Sequence, residues 1–329
     1  MASWIRKFLP SLYISVLAEN KECQIYGQVI KNGKVIKTVE AVFDCNNYKV
    51  DPKFNTYLKT QENLAHWTYV GTLLNNSKHW ALPVSSKDGY TKFNINYNSV
   101  NIVTMAGGWS IFVYKNEIEK MQTFFNDMQP NLIYSPFALL YEKIKNNLEK
   151  NQNILYVYSL KESSALMIFD DTKMQFSAFF KAFKTVDDLI DEKELKAEDT
   201  TDIENIISKE EDKFNELDSL EDLGNVVKNS QKDDFEDIQE GATRDLEESV
   251  RDIGKETFLL NNIRSAINEY YKNELYDSNF IDKIIIYDNN KLDKSFIDIL
   301  ESELMINSYI NEVDTIKDMN ELMIRELNV

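Results

Sequence analysis

Four carboxylates stand where strand-like segments of this chain turn back on themselves. Carboxylates so placed are the residues from which phosphoryl-transfer sites take their metal ligands. Glu19 lies in Val16-Leu-Ala-Glu-Asn20, Glu162 in Ser159-Leu-Lys-Glu-Ser163, and Asp170 and Asp171 follow Ile168-Phe169. The same chemistry needs a phosphate cradle with glycine in it, because a Cβ obstructs the close approach of backbone to phosphate. The residues beside these acids are instead Leu17-Ala18 and Leu160-Lys161, and a later turn, Ile286–Leu292, offers Asn289-Asn290. Without a cradle the four acids read as solvated turn residues. Gly107-Gly108 runs into strand-like residues and lacks a following Lys-Ser/Thr, so it reads as a tight turn rather than a P-loop.

Other chemistries find less. His66 and His79 each stand beside a tryptophan, and neither belongs to a His-x-x-x-His, Glu-x-x-His or Cys-x-x-Cys spacing, so no metal site is expected. There is no Gly-x-Ser-x-Gly elbow. Cys23 and Cys45 read as small core residues of one sheet and fit a reducing compartment. Trp67, Tyr69, Trp80, Phe93, Tyr97 and Trp109 form an aromatic group in the first half. Most of it reads as core. The functional reading, carried by Tyr69, Trp80, Phe93, Tyr97 and Trp109, is a groove that takes an extended peptide by strand addition or in side-chain pockets.

The elements that must position these residues repeat. Ser11–Asn20, Cys23–Ile30 and Lys34–Phe43 read as three strands, with turns at Asn20-Lys21 and at Asn32-Gly33, the latter a hairpin signal. Ile154–Leu160, Ser164–Asp170 and Lys173–Phe180 repeat the pattern. Between the two sets lie a helix over 53–65, a strand Trp67–Leu74 and an irregular polar stretch at 75–100. Strands at 101–105 and 109–114 follow, then helices over 116–127 and 136–150, the last with Pro136 at its first turn. After the second set come helices over 257–276, 293–304 and 315–326 and strands at Lys283–Tyr287 and Tyr309–Val313.

Length and charge agree with two globular halves and one insertion. A chain of 329 residues, 43% hydrophobic, can bury two cores. Residues 185–256 hold 26 acidic and 9 basic side chains of a chain whose net charge is -18, so the remainder is nearly neutral. Within that segment Ile203, Ile206, Phe214 and Leu217 recur at helical spacing; the segment reads as a solvated face, with a partner-binding helix carried by these residues as the alternative. The division expected is 1–150 with an insertion at about 75–100, then 151–184 together with 257–329, with 185–256 as an acidic, partly helical or flexible insertion. No basic stripe invites nucleic acid. No run of 18 apolar residues would span a membrane, and Met1–Pro10 makes a poor signal peptide.

The duplicated three-strand opening, the closing helix–strand–Asn-rich turn–helix order and the segment Met128–Leu140, with Ser135-Pro-Phe-Ala-Leu139, resemble the actin-like proteins of the PilM and FtsA type, a group that includes the cytoplasmic domain of GspL. The resemblance implies an α/β, two-domain actin-like fold of ribonuclease H-like repeats, with a reduced first-half insertion and the acidic insertion in the second half. Relatives of this type carry acid and glycine in the first turn of each half and glycines in the late turn. Here Leu17, Ala18, Leu160, Lys161, Asn289 and Asn290 stand there, so the nucleotide site is expected to be degenerate, with no cofactor and no catalysis. The resemblance further implies a cytoplasmic scaffold peripheral to the inner membrane. It would bind the cytoplasmic tail of a PilN-like bitopic protein and neighbouring copies in a ring. The machine would be a type IV pilus, a type II secretion system or a PilM-like flagellar motor structure. An active actin-like ATPase or sugar-kinase-type enzyme is the competing reading, and a cytosolic adaptor unrelated to envelope machines a third.

Overall fold

Strand β1 (Ser11–Ala18) is buried along its whole length, and this is why its sequence is a near-continuous apolar run. In the computed structural model, which describes residues 8–19, 22–46, 49–76, 78–125, 129–171, 173–181 and 239–327, it is the central strand of the first sheet. On one side it pairs antiparallel with β2 (Glu22–Lys31), which pairs with β3 (Lys34–Asn46) and, at the rim, β4 (Lys49–Val50). On the other side it pairs parallel with β5 (Trp67–Leu73), reached through helix α1 (Pro52–Glu62). Asn32 (φ 54°) and Gly33 (φ 70°) make the expected two-residue turn between β2 and β3, which needs left-handed backbone at both positions. One face of this sheet packs on α1 through Leu12, Ile14, Val16, Phe54 and Leu58.

The stretch from 75 to 100, expected to be irregular, is folded. Strand β6 (His79–Leu82), helix α2 (Lys87–Lys92) and a short 3₁₀ turn at Tyr97–Ser99 lead into β7 (Val100–Thr104) and β8 (Ser110–Tyr114). β6, β8 and β7 pair in that order as a small antiparallel sheet. Ser86 caps α2 by accepting from the Gly89 N–H, and Tyr90, Phe93, Val100 and Phe112 fill the core beneath it. The turn from β7 to β8 uses Gly107 (φ 95°) and Gly108 (φ 80°), the tight turn expected from the sequence. Helix α3 (Lys115–Phe124), the short parallel strand β9 (Leu132–Tyr134) and α4 (Pro136–Ile144) complete the first half. Pro136 occupies the first turn of α4, and the Ser135 hydroxyl accepts from the Phe137 N–H.

The second sheet repeats the first. β10 (Asn153–Ser159) pairs antiparallel with β11 (Ser163–Asp170), which pairs with β12 (Lys173–Lys181). Its other neighbour is the parallel strand β13 (Lys283–Asp288), followed by β14 (Asn307–Glu312). Helix α5 (Gln239–Lys272) starts well before the expected residue 257. Residues 239–255 are the described part of a separate compact unit, Lys184–Lys255. From Leu259 onward α5 lays Leu259, Ile263, Ala266 and Tyr270 on the second sheet, joined there by Phe296 and Leu300 of α6 (Ser295–Leu304).

The final helices are exchanged. α4, the last of the first half, packs on β10 and β11, whereas α7 (Thr315–Leu327), the last of the chain, packs on β1, β2 and β5. Asn320 pins α7 to the first sheet by donating to the Tyr13 carbonyl at 2.9 Å and the Ser15 hydroxyl at 3.3 Å, all buried. Two sheets of one topology with exchanged closing helices make the expected α/β actin-like arrangement. Among the described residues no helix is long and apolar enough to cross a membrane.

Candidate functional site

The two repeats turn at equivalent corners. After β1 the Glu19 N–H donates to the Glu22 carbonyl at 2.9 Å, and after β10 the Leu160 N–H donates to the Ser163 carbonyl at 2.9 Å. Leu17 and Ala18, read from the sequence as the first turn, are instead the buried end of β1. Ala18 still pairs with Cys23, so the chain cannot turn before Glu19. Leu160 and Lys161 do lie in the second corner.

The third turn, after β13, is organised by side chains. Buried Asp288 accepts from the Asn290 N–H at 2.9 Å and the Leu292 N–H at 2.8 Å, with Lys291 left-handed (φ 58°). Asn289 donates its N–H to the Ser159 carbonyl at 3.0 Å, and its Oδ1 accepts from the Thr315 N–H at the start of α7. The Asn290 amide donates to the Ser159 hydroxyl at 2.9 Å and the Leu160 carbonyl at 2.6 Å. Where glycines would leave backbone open, these asparagines tie the second and third turns together. A phosphate cradle needs backbone N–H groups free to donate. Those of Glu19, Leu160, Asn289 and Asn290 are all bonded within the chain.

Lys161 reaches across from the second corner to the first. Its Nζ lies 2.5 Å from Glu22 and 3.5 Å from Glu19. Glu19 is 2% exposed. Burial pushes its carboxyl up to about 7, while Lys161 pulls it down and Glu162 and Glu22 add to the rise. The hydrogen bond from Lys161 is the main cause that holds the Glu22 carboxyl below its ordinary value. Burial works to lower the Lys161 ammonium, yet the bond to Glu22 and the charge of Glu19 leave it above the usual range. An ammonium paired in this way offers neither a base nor a metal ligand. Among the described residues no three His, Cys, Asp or Glu side chains cluster as metal ligands.

The five aromatic residues read as one groove are divided among three places. Trp80, Phe93 and Tyr97 surround the small core of α2 and the three-stranded sheet, with Trp80 against Phe112 and Tyr97 against Tyr90. Tyr69 stacks on Tyr13, with ring centroids 5.4 Å apart. Trp109 is buried between Tyr141 of α4 and Phe169 of β11. The cause is the β-strand period of two: Trp80 and Trp109 leave their sheet towards different cores. His79 is a core residue whose ring sits 4.5 Å from Phe179 and 5.7 Å from Phe137, with Nδ1 on the Asn76 carbonyl. Burial pushes it down to about 4. Cys23 and Cys45 are both buried, and burial pushes the Cys23 thiol up. Ile203, Ile206, Phe214 and Leu217 lie outside the described residues. Sequence reasoning missed Glu22, Asp288 and Asn320. The signal for Glu22 was its place at the end of a corner whose repeat ends in Ser163.

The family boundaries fall on the two sheets. The domain of unknown function DUF8341 matches residues 155–328, more than half of the chain. The chain belongs to the DUF8341 family. A second domain of unknown function, DUF8569, matches residues 8–141 of this DUF8341 member. A search of curated proteins finds no match. Among solved structures, a Bacteroides thetaiotaomicron protein with actin-like ATPase fold and unknown function is similar at 9% identity and a TM-score of 0.47, with 98% of each chain covered. The PilM-PilN type IV pilus biogenesis complex is similar at 11% identity and a TM-score of 0.48, with 96% of this chain and 94% of that one covered. The activator of 2-hydroxyisocaproyl-CoA dehydratase from Clostridium difficile, with bound ADPNP, is similar at 10% identity and a TM-score of 0.35, with 97% and 98% covered. The fold assignment rests on strand order and helix exchange; these likenesses are of outline.

Proposed function

We propose that the protein is a non-catalytic actin-like scaffold of the PilM type. It grips the cytoplasmic tail of a PilN-like bitopic partner and is thereby held at the inner membrane, with neighbouring copies in a ring of a type IV pilus, type II secretion or flagellar motor structure. The observation that carries the non-catalytic reading is the filling of the three turns by the chain's own side chains: Lys161 between the two corners, and Asn290 across the second and third. Titration calorimetry with magnesium-ATP at roughly millimolar concentration, the weak end of ordinary affinity, gives no heat beyond dilution. A dissociation constant in the low micromolar range overturns this reading and restores the ATPase or sugar-kinase alternative.

The small sheet supports a grip by strand addition. β7 is one of its two edge strands and, among the described residues, pairs with β8 alone in that sheet. Val103 on β7 is 61% exposed, and Tyr97, 36% exposed, lies just before the strand. An exposed edge supplies main-chain hydrogen bonds, and flanking side chains supply selectivity. Val103→Asp changes an exposed residue, so the unfolding temperature stays within about a degree or two. In its own cell the variant recovers at least roughly tenfold less membrane-embedded partner than wild type, the loss expected of one good hot spot. Equal recovery from both places the contact elsewhere than β7.

A further inference from the structure

We propose that Lys161 is a tethered cation that compensates the buried Glu19 across the facing corners of the two repeats, so that one side chain of the chain itself keeps the corners closed while Glu19 is ionised. Glu19 and Glu22 close the corner of the first repeat, and Lys161 belongs to the corner of the second, so every contact between them joins the halves. The two contacts are unequal. Glu22 and Lys161 are both partly open to water, and a pair of that kind contributes little. Glu19 is buried and, among the described residues, neither of its carboxylate oxygens has a hydrogen-bond partner, so the ammonium at 3.5 Å is the compensation those residues provide for a charge there. Among the described residues the charged groups that act on Glu19 are Lys161, Glu162 and Glu22, and of these Lys161 alone is attractive. Removing the ammonium leaves Glu19 and Glu22 of the first corner beside Glu162 of the second, with only repulsion among these groups. Separation of the corners, with water entering, is the relaxation open to them.

The test is amide hydrogen exchange at about pH 8, where an ionised Glu19 needs its partner most. In Lys161→Met, exchange in the two corners, residues 17–24 and 158–165, rises at least about tenfold, as expected of a local opening that global stability does not control. Exchange in β13 stays at the wild-type rate. Lys161→Arg, which keeps the charge, stays within about twofold of wild type. The double variant Lys161→Met/Glu19→Gln also returns to within about twofold, because no buried charge is left to hydrate. Corner exchange in Lys161→Met within twofold of wild type overturns the proposal. So does an equal rise in β13, which reports general destabilisation, or a rise that survives in the double variant, which shows that Glu19 is not the partner.

Discussion

Trp109→Ala lowers the free energy of unfolding by about 3–5 kcal/mol, the cost of emptying a fully buried aromatic site. The indole is 1% exposed and meets Tyr141 edge-on at 5.0 Å and Phe169 at 6.0 Å. It therefore joins the turn of the small sheet to α4 and to the second sheet. None of these rings can collapse into the space without dragging its own element, so the site relaxes poorly. Trp80→Ala is the internal comparison. Trp80 is half-buried at the rim of the small core, against Phe112 and Tyr114, and its truncation costs under about 2 kcal/mol. Urea titration separates the two by their midpoints at an unchanged slope. A Trp109→Ala midpoint no lower than that of Trp80→Ala would falsify the placement of Trp109 in the core and return it to the candidate groove.

Glu19→Gln removes the part of the pH dependence of stability that Glu19 contributes between pH 4.5 and 7. The folded carboxyl is pushed up to about 7 from 4.5. The native state therefore holds a proton between those values that the unfolded state has released. Stability from Glu19 is complete below pH 4.5 and is lost as pH rises through 7, a loss of about 3 kcal/mol at 1.36 kcal/mol per unit. The glutamine variant keeps the shape and has no proton to lose, so its unfolding free energy exceeds that of wild type above pH 7 and approaches it near pH 4.5. His79 has the opposite sign. Its folded value falls from 6.5 to about 4, so its contribution is present above pH 6.5 and is lost as pH falls towards 4, again by about 3 kcal/mol. Between pH 4.5 and 6.5 the two slopes offset each other in wild type. Glu19→Gln uncovers the acid loss due to His79, and His79→Gln uncovers the neutral-pH loss due to Glu19. Chemical denaturation of the three proteins at several pH values reads both. Parallel curves for all three sink the assignment.

Both predictions rest on burial, and burial was only half legible in the sequence. Strand identity was readable because β1 and β10 are central strands covered on both faces, and such strands show as unbroken apolar runs. The β2–β3 turn was readable because Asn32-Gly33 tolerates left-handed backbone at two successive positions. The start of the helix Pro136–Ile144 was announced by Ser135-Pro136, although it ends well before the expected residue 150. Duplication was visible because each repeat carries the same strand–turn–strand pattern. Of the small sheet, β7 and β8 were readable as strands at 101–105 and 109–114, but β6 was hidden, since four residues are too few for period to separate strand from coil.

What the sequence determined by itself was local: alternation, turn chemistry, the repeat, the concentration of acid in residues 185–256, and the lack of glycine beside the turn acids. These depend on residues within a few positions of one another, where backbone sterics and the period of a strand or helix decide the outcome. Tertiary structure alone decided that Lys161 meets Glu19 and Glu22 across 139 or more positions, that Asn320 reaches Tyr13 across 307, and that Trp80 and Trp109 belong to different cores. The reason is that a charge or ring is assigned its partner, and its pKa or packing energy, by the approach of two sheets and the exchange of two helices. No local propensity encodes that approach. The free energy of a buried group depends on which atoms have replaced its water, and those atoms come from the other half of the chain.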